Sequence, residues 1–113
     1  MVINMLVAFS MIPLDKGPHF SACVAGMMEI IRESGLPHEL NAMCTLVEGD
    51  WDRVFDLINK CREELRKDSD RVSIKIWVDD KAGATGMLKS KVESVTEKLG
   101  GPPRKHPPPP PCG

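Results

Sequence analysis

The sequence has few aromatic residues, almost no net charge and no long apolar run. It contains no tyrosine, and its 15 basic and 16 acidic residues leave a net charge of −1. A surface that binds nucleic acid or an anionic membrane needs clustered positive charge, and this balance does not provide it. The longest apolar run, residues 5–14, has about half the roughly 20 residues that span a bilayer and lacks a basic leader. We therefore expect a cytosolic protein that binds neither nucleic acid nor membrane.

The usual signatures of metal sites and catalytic centres are also missing. Cys23, Cys44, Cys61 and Cys112 are widely separated, with no C-x-x-C pair and no cysteine–histidine spacing typical of zinc. Cys23 and Cys61 fall on the apolar faces of predicted helices, where a reduced thiol acts as a small hydrophobic side chain. No nucleophile elbow, nucleotide-binding loop or H-E-x-x-H motif is present. We expect no metal, no cofactor and no enzymatic turnover.

Hydrophobic periodicity predicts the elements of the first half of the chain. Residues 5–14 are apolar at both alternating sets of positions, which is typical of a central strand covered on both sides. From Pro18 the apolar residues follow a helical stripe, and Gly35 is a typical helix stop. Residues 38–42 and 45–49 then predict a short hairpin that turns near positions 43 and 44.

The second half predicts a helix, a strand and a last helix. Asp50 is a good N-cap for a helix whose apolar stripe starts at Trp51 and continues through four more positions. Residues 71–79 alternate strictly, as expected of a strand. Residues 85–99 predict the final helix, with apolar residues at heptad-like spacing. The apolar positions of the two helices are Val54, Ile58, Cys61 and Leu65, then Leu88, Val92, Val95 and Leu99.

The order β-α-β-β-α-β-α predicts an α+β ferredoxin-like fold. Right-handed crossovers around the hairpin give a four-stranded antiparallel sheet with two helices on one face, plus a C-terminal helix, all within residues 1–99. Residues 100–113 hold seven of the ten prolines and predict a disordered proline-rich tail. The open sheet face carries Ser10, Lys75 and Trp77, a mixture that suits a ligand floor or a subunit contact. Trp77 is the candidate for an oligomer interface.

Two acidic segments allow either a functional or a purely structural interpretation. In Glu48-Gly49-Asp50-Trp51-Asp52, a carboxylate and an indole could hold a flat cationic heterocycle. Equally, the aspartates could stabilise a helix start, Trp51 could lie in the core and Glu48 in solvent. Asp79 and Asp80 could bind a divalent cation, or they could form a solvated turn.

Several strings together resemble a known family. They are Phe9-Ser10 with Pro13-Leu14 and Lys16-Gly17, residues 29–37, Met43-x-Thr45 with Glu48-Gly49-x-Trp51-Asp52, and Asp79-Asp80 with residues 91–95. The pattern, which covers residues 5–99, is similar to that of a small single-domain thiamine-binding family. That group is related to bacterial hydroxymethylpyrimidine/thiamine-binding proteins. The resemblance implies a ferredoxin-like fold, dimers that pair into tetramers, and binding of thiamine or its pyrimidine moiety for carriage, sequestration or sensing.

The resemblance also implies a set of ligand-binding residues. It places Ser10 on the sheet, Asn41, Met43 and Thr45 around the hairpin, and Glu48 opposite the aminopyrimidine or thiazolium. One departure concerns the hairpin, because Cys44 stands where the family has glycine. A left-handed conformation there would cost about 1 kcal/mol or more, unless the turn changes type. The alternative function is an oligomeric regulatory or interaction module without a small-molecule ligand.

Overall fold

The computed structural model describes residues 5–18, 21–83 and 86–100. Its elements follow the predicted order. They are β1 (Met5–Pro13), α1 (Ser21–Ser34), β2 (His38–Leu40), β3 (Thr45–Gly49), α2 (Trp51–Arg66), β4 (Val72–Asp80) and α3 (Met87–Leu99). Phe20 and Thr85, assigned to helices from the sequence, and the proline-rich tail beyond Gly100 lie outside the described residues.

The four strands form one antiparallel sheet in the order β2-β3-β1-β4. The most apolar strand, β1, lies inside the sheet, while β2 and β4 are the two edges. In the register, Leu6 is flanked by Glu48 on β3 and by Asp79 on β4. This α+β architecture confirms the predicted ferredoxin-like fold.

One face of the sheet packs against α1 and α2 and forms the core. The odd-numbered residues of β1, among them Met5, Val7 and Phe9, point to this face and are almost fully buried. Each such side chain contributes about 1.5–3 kcal/mol through removal from water. Cys61 on α2 belongs to the same core, and burial raises the pKa of its thiol to about 11. As predicted, this cysteine packs as a reduced hydrophobic side chain.

The ends of α1 and α2 follow helix-capping rules only in part. Gly35 ends α1 in the left-handed conformation, with φ of 74°, as predicted. Asp50 is the N-cap residue of α2, but its side chain makes no capping hydrogen bond. The prediction that Trp51 lies in the core is wrong, since its side chain is 56% exposed. It contacts Phe55 one turn later, with ring centroids 4.5 Å apart, because the helix stripe that faces the core begins at Val54.

The opposite face of the sheet, which we call the open face, is covered mainly at one end. It carries the even-numbered residues of β1 and the odd-numbered residues of β4 that pair with them. The helix α3 contacts β1 and β3 on this side. Met87 of α3 is buried and Leu88 is half-buried, whereas the other residues of the predicted stripe, Val92, Val95 and Leu99, are exposed within the described chain.

Candidate functional site

The β2–β3 hairpin closes with a tight turn at one end of the sheet. Asn41 donates its backbone N–H to the carbonyl of Cys44 at 2.9 Å, which leaves Ala42 and Met43 at the tip. Among the described residues, no residue other than glycine has a positive φ. Cys44 therefore avoids the left-handed conformation, and its replacement of the family's glycine causes no backbone strain.

A cleft of about 120 Å³ lies where this hairpin meets the end of β1. Four of the five residues predicted to bind ligand line it together, namely Ser10, Asn41, Met43 and Thr45. Thr45 is buried, whereas the Met43 side chain at the mouth is 90% exposed. Ser10 thus lines the same cleft as three hairpin residues that lie 31 or more positions later in the sequence.

The lining of this hairpin cleft suits a small neutral ring. Phe9 and Met27 provide apolar surface, and Asn41 and Thr45 add amide and hydroxyl groups that can donate and accept hydrogen bonds. None of the described lining residues carries a charge. A cavity of about 150 Å³ can hold a benzene-sized ring, so this cleft matches one aromatic ring in size. The sequence did not single out Phe9 or Met27 as lining residues, because an apolar core position gives no separate signal.

Glu48, the fifth predicted residue, lies away from the hairpin cleft. It is only 3% exposed, and its carboxylate is held by the first turn of α3. The backbone N–H groups of Gly86 and Leu88 donate to its two oxygens at 2.7 and 2.8 Å. A carboxylate is favoured at this position because the first N–H groups of a helix have no partner within the helix. The suggestion that Glu48 lies in solvent is wrong.

The neighbours of Glu48 do not form one binding constellation. A side chain at Gly49 would place its Cβ 3.1 Å from atoms of Leu36 and Val54, so this glycine permits close packing in the core. Trp51 begins α2, which packs on the helix-covered face, while Glu48 points to the open face. The structure therefore separates the carboxylate from the indole that the sequence placed beside it.

Trp77 lies on the open face and is 80% exposed. It borders a second cleft of about 410 Å³, whose floor includes Ala8 and Leu46. At its wall, Lys91 of α3 pairs with Asp79. Asp79 and Asp80 lie at the end of β4 and not in the turn that the sequence offered as the alternative to a cation site. Within the described chain, no three histidine, cysteine or acidic residues come together as a candidate metal site. In the same part of the chain, no helix is long and apolar enough to cross a bilayer.

Comparison of the amino-acid sequence with known proteins identifies a family and several relatives. The model of a family described as "Thiamine-binding protein" matches residues 7–96. A UPF0045 protein of Mycobacterium bovis is 36% identical over 98 residues, which cover 86% of this chain and 96% of that protein. The UPF0045 protein of Bacillus subtilis is 32% identical, with coverage of 80% of this chain and 92% of the relative. Neither name describes a catalytic activity.

Solved structures show the same fold. A hypothetical protein from Methanocaldococcus jannaschii superposes with a TM-score of 0.77 at 28% identity, covering 83% of this chain and 97% of the other. A Thermotoga maritima protein, whose name links it to thiamine biosynthesis or salvage, gives a TM-score of 0.68 at 21% identity. That match covers 78% of this chain and 96% of the other, and it shows the fold alone. Since the family model spans most of the folded sequence, this chain belongs to the thiamine-binding protein family.

Proposed function

We propose that this chain is a cytosolic, self-associating protein that binds thiamine or its pyrimidine moiety without chemical turnover. The main observation in favour of this proposal is the uncharged hairpin cleft, which is lined by Ser10, Asn41, Met43 and Thr45. Membership of the thiamine-binding family supports the class of ligand. Carriage, sequestration or sensing are the roles that such binding serves.

In this proposal the cleft holds the aminopyrimidine ring. Asn41 pairs with the ring nitrogen and the exocyclic amine, as a side-chain amide does with the similar edge of adenine. The hydroxyl of Thr45 supplies a further hydrogen bond, whereas the side chain of Ser10 points to the open face of the sheet. Met43 packs its thioether on the ring, a favourable sulfur–aromatic contact, and its exposure lets it close over a bound ligand.

The rest of the ligand lies at the mouth of the cleft. A volume of about 120 Å³ does not contain both rings of thiamine, and the described lining offers no cation for a phosphate. We therefore expect thiamine and the free pyrimidine to bind at least as tightly as thiamine diphosphate. Glu48 has a supporting role in this proposal, because both of its carboxylate oxygens are engaged by α3.

Thermal unfolding with and without thiamine tests the proposal. A ligand at 100 times its Kd adds about 2.7 kcal/mol to the free energy of unfolding, which raises the Tm of a domain this size by roughly 10 °C or more. Asn41→Ala should abolish most of this rise, because the amide makes the specific hydrogen bonds. Asn59→Ala is the matched control, since Asn59 is an exposed amide on α2 that bonds only to its own helix.

The outcomes separate the two candidate functions. A saturable rise that Asn41→Ala removes and Asn59→Ala retains supports the ligand-binding function. A Tm that is unchanged by millimolar thiamine, by the pyrimidine and by the phosphates would contradict it. The second candidate, an interaction module without a ligand, would then be favoured by the large exposed side chain of Trp77.

A further inference from the structure

The two helices that cover the sheet form a groove between them on the side away from the strands. This groove, which we call the helix groove, has a volume of about 340 Å³ and lies between the last turns of α1 and the first turns of α2. A smaller cleft joins the start of α1 to the end of α2, so the two helices are antiparallel. The residues of the helix groove used below are Ile30, Glu33, Leu36, Arg53 and Leu57.

The antiparallel arrangement gives the helix groove two walls of opposite polarity. A helix dipole is negative at the C-terminal end and positive at the N-terminal end. The wall on α1 is therefore negative and the wall on α2 is positive. The side chains follow the same order, since Glu33 is in the last turn of α1 and Arg53 is in the first turn of α2.

Glu33 and Arg53 line the same groove without pairing. Within the described chain, neither side chain forms an ion pair or a hydrogen bond, with the other or with any further residue. Both are exposed and therefore accessible from solvent. An acid and a base that face one groove from opposite walls, and do not close on each other, leave a place for a ligand that carries both charges.

The other charges of the helix groove neutralise each other. Asp56, one turn after Arg53, pairs with Lys60 at 3.1 Å, and both of these side chains line the groove. Arg53 thus has no acidic partner left on its own helix wall. With two acids and two bases in the lining, the groove has no net charge and favours a ligand of no net charge over a simple anion or cation.

The floor of the helix groove is apolar. Leu36 and Leu57 are 5% and 2% exposed, and Ile30 is half-buried. The hydroxyl of Ser34, which also lines the groove, is already engaged, because it donates to the carbonyl of Ile31 and accepts the backbone N–H of Leu36. The volume of the groove lies at the lower end of the range of small-molecule pockets. This floor suits an aliphatic side chain.

We propose that the helix groove binds a free α-amino acid with an aliphatic side chain. Arg53 and the N-terminal end of α2 hold its carboxylate, in the bidentate pairing that a guanidinium favours. Glu33 and the C-terminal end of α1 hold its ammonium group. The aliphatic side chain of the ligand packs on Ile30, Leu36 and Leu57.

The pair of opposite charges favours a free amino acid over other ligands of similar size. A simple anion would meet Glu33 as well as Arg53, and a simple cation would meet the same two charges. The N-terminal residue of a peptide has the ammonium group without the carboxylate, and the C-terminal residue has the reverse. Only a free α-amino acid carries both groups on one carbon atom.

An NMR titration with three related compounds tests the proposal. L-leucine should shift the backbone amide signals of Leu36 and Leu57 in a saturable manner. N-acetyl-L-leucine lacks the ammonium group and L-leucinamide lacks the carboxylate, so each should bind more weakly by about tenfold or more. Equal affinity for leucine and either derivative would overturn the proposal. So would the absence of saturable shifts with leucine, isoleucine and methionine at millimolar concentration.

Variants of the two unpaired side chains locate the site. Arg53→Gln and Glu33→Gln should each weaken leucine binding by about tenfold or more, because each removes one charged contact. Both residues are exposed, so the Tm should stay near that of the wild type. Arg62→Gln and Glu63→Gln alter exposed residues of α2 outside the groove and should keep wild-type affinity. Wild-type affinity in both groove variants, or an equal loss in the controls, would overturn the site.

The helix groove and the hairpin cleft share no lining residue, so their ligands can be tested separately. Asn41→Ala should retain leucine binding, and Arg53→Gln should retain the rise of the Tm with thiamine. If leucine binds and thiamine raises no Tm, the amino-acid site stands and the proposed function fails. If thiamine raises the Tm and no aliphatic amino acid binds, the proposed function stands and the amino-acid site is overturned.

Discussion

Single residues join loops of this protein that are far apart in the sequence. The carboxylate of Asp15, in the loop after β1, accepts hydrogen bonds from the hydroxyl of Ser69 and from the backbone N–H of Asp70. The Ser69 hydroxyl is the larger cause, and together these bonds hold the pKa of the Asp15 carboxyl below its ordinary value of 3.8. The pair fixes the β1–α1 loop to the α2–β4 loop.

This contact predicts a defined pH dependence of stability. Because the pKa of Asp15 is lower in the folded state, its stabilising effect is complete above pH 3.8 and is lost as the pH falls through the folded-state pKa. Asp15→Asn should therefore have a lower Tm than the wild type at pH 7, and the difference should shrink below pH 3.8. Thermal unfolding followed by circular dichroism at several pH values measures this.

Asp70→Asn is the control for that experiment, since Asp70 contributes its backbone N–H to the contact. Its Tm should follow that of the wild type at neutral pH. A difference between Asp15→Asn and the wild type that stays constant from pH 7 to pH 3 would show that the charge of Asp15 is not the stabilising feature.

The structural role of Glu48 could not be predicted from its residue type and its neighbours in the sequence. A glutamate at a strand end next to a glycine and a tryptophan fits a cation-binding site or a solvated strand end, and neither interpretation includes a cap for a distant helix. The deciding contact comes from Gly86 and Leu88, which are 38 and 40 positions away in the sequence. No local pattern encodes a pairing of that range, whereas the cleft residues Asn41, Met43 and Thr45 lie within a single hairpin whose turn was predictable.

At the scale of whole elements, periodicity predicted most of the fold. The apolar run of β1, the alternation of β4 and the helical stripes of α1 and α2 result from packing against the core, so the local sequence predicts them. The stripe of α3 follows the same rule but is exposed, with Leu99 at 65%. A pattern predicts which face of a helix is apolar, not whether its own chain or another covers that face.

The attachment of α3 to the sheet gives a prediction at the same scale. Glu48→Gln should destabilise the docked helix by about 1–3 kcal/mol, because the side-chain amide has one acceptor oxygen and cannot accept from both N–H groups as the two carboxylate oxygens do. Trypsin should then cleave at Lys89 and Lys91 faster than in the wild type, while cleavage within α2 is unchanged. Glu93→Gln alters an exposed glutamate on α3 and should leave the cleavage rates at wild-type values.

If trypsin cleaves α3 at the same rate in Glu48→Gln and in the wild type, then the buried Met87 and the Lys91–Asp79 pair are sufficient to hold the helix on the sheet. In that case the capping hydrogen bonds would be a consequence of docking rather than its cause. The same measurement in Met87→Ala would then identify the main contact.

For the molecule as a whole, ligand binding and self-association should be linked. If self-association completes or orders the ligand site, thiamine binds the dimer more tightly than the monomer. By thermodynamic linkage, saturating thiamine then tightens the dimer by the same factor, typically about 5- to 150-fold. Sedimentation over a dilution series with and without thiamine measures this factor.

Asn41→Ala separates this linkage from a general stabilisation of the fold. The variant alters only the amide proposed to bind the ligand, so its self-association should match that of the wild type without ligand and should not respond to thiamine. A wild-type dimer whose dissociation constant is insensitive to saturating thiamine would mean that each cleft is complete within one chain. Met43, 90% exposed at the mouth, would then be the side chain that closes it.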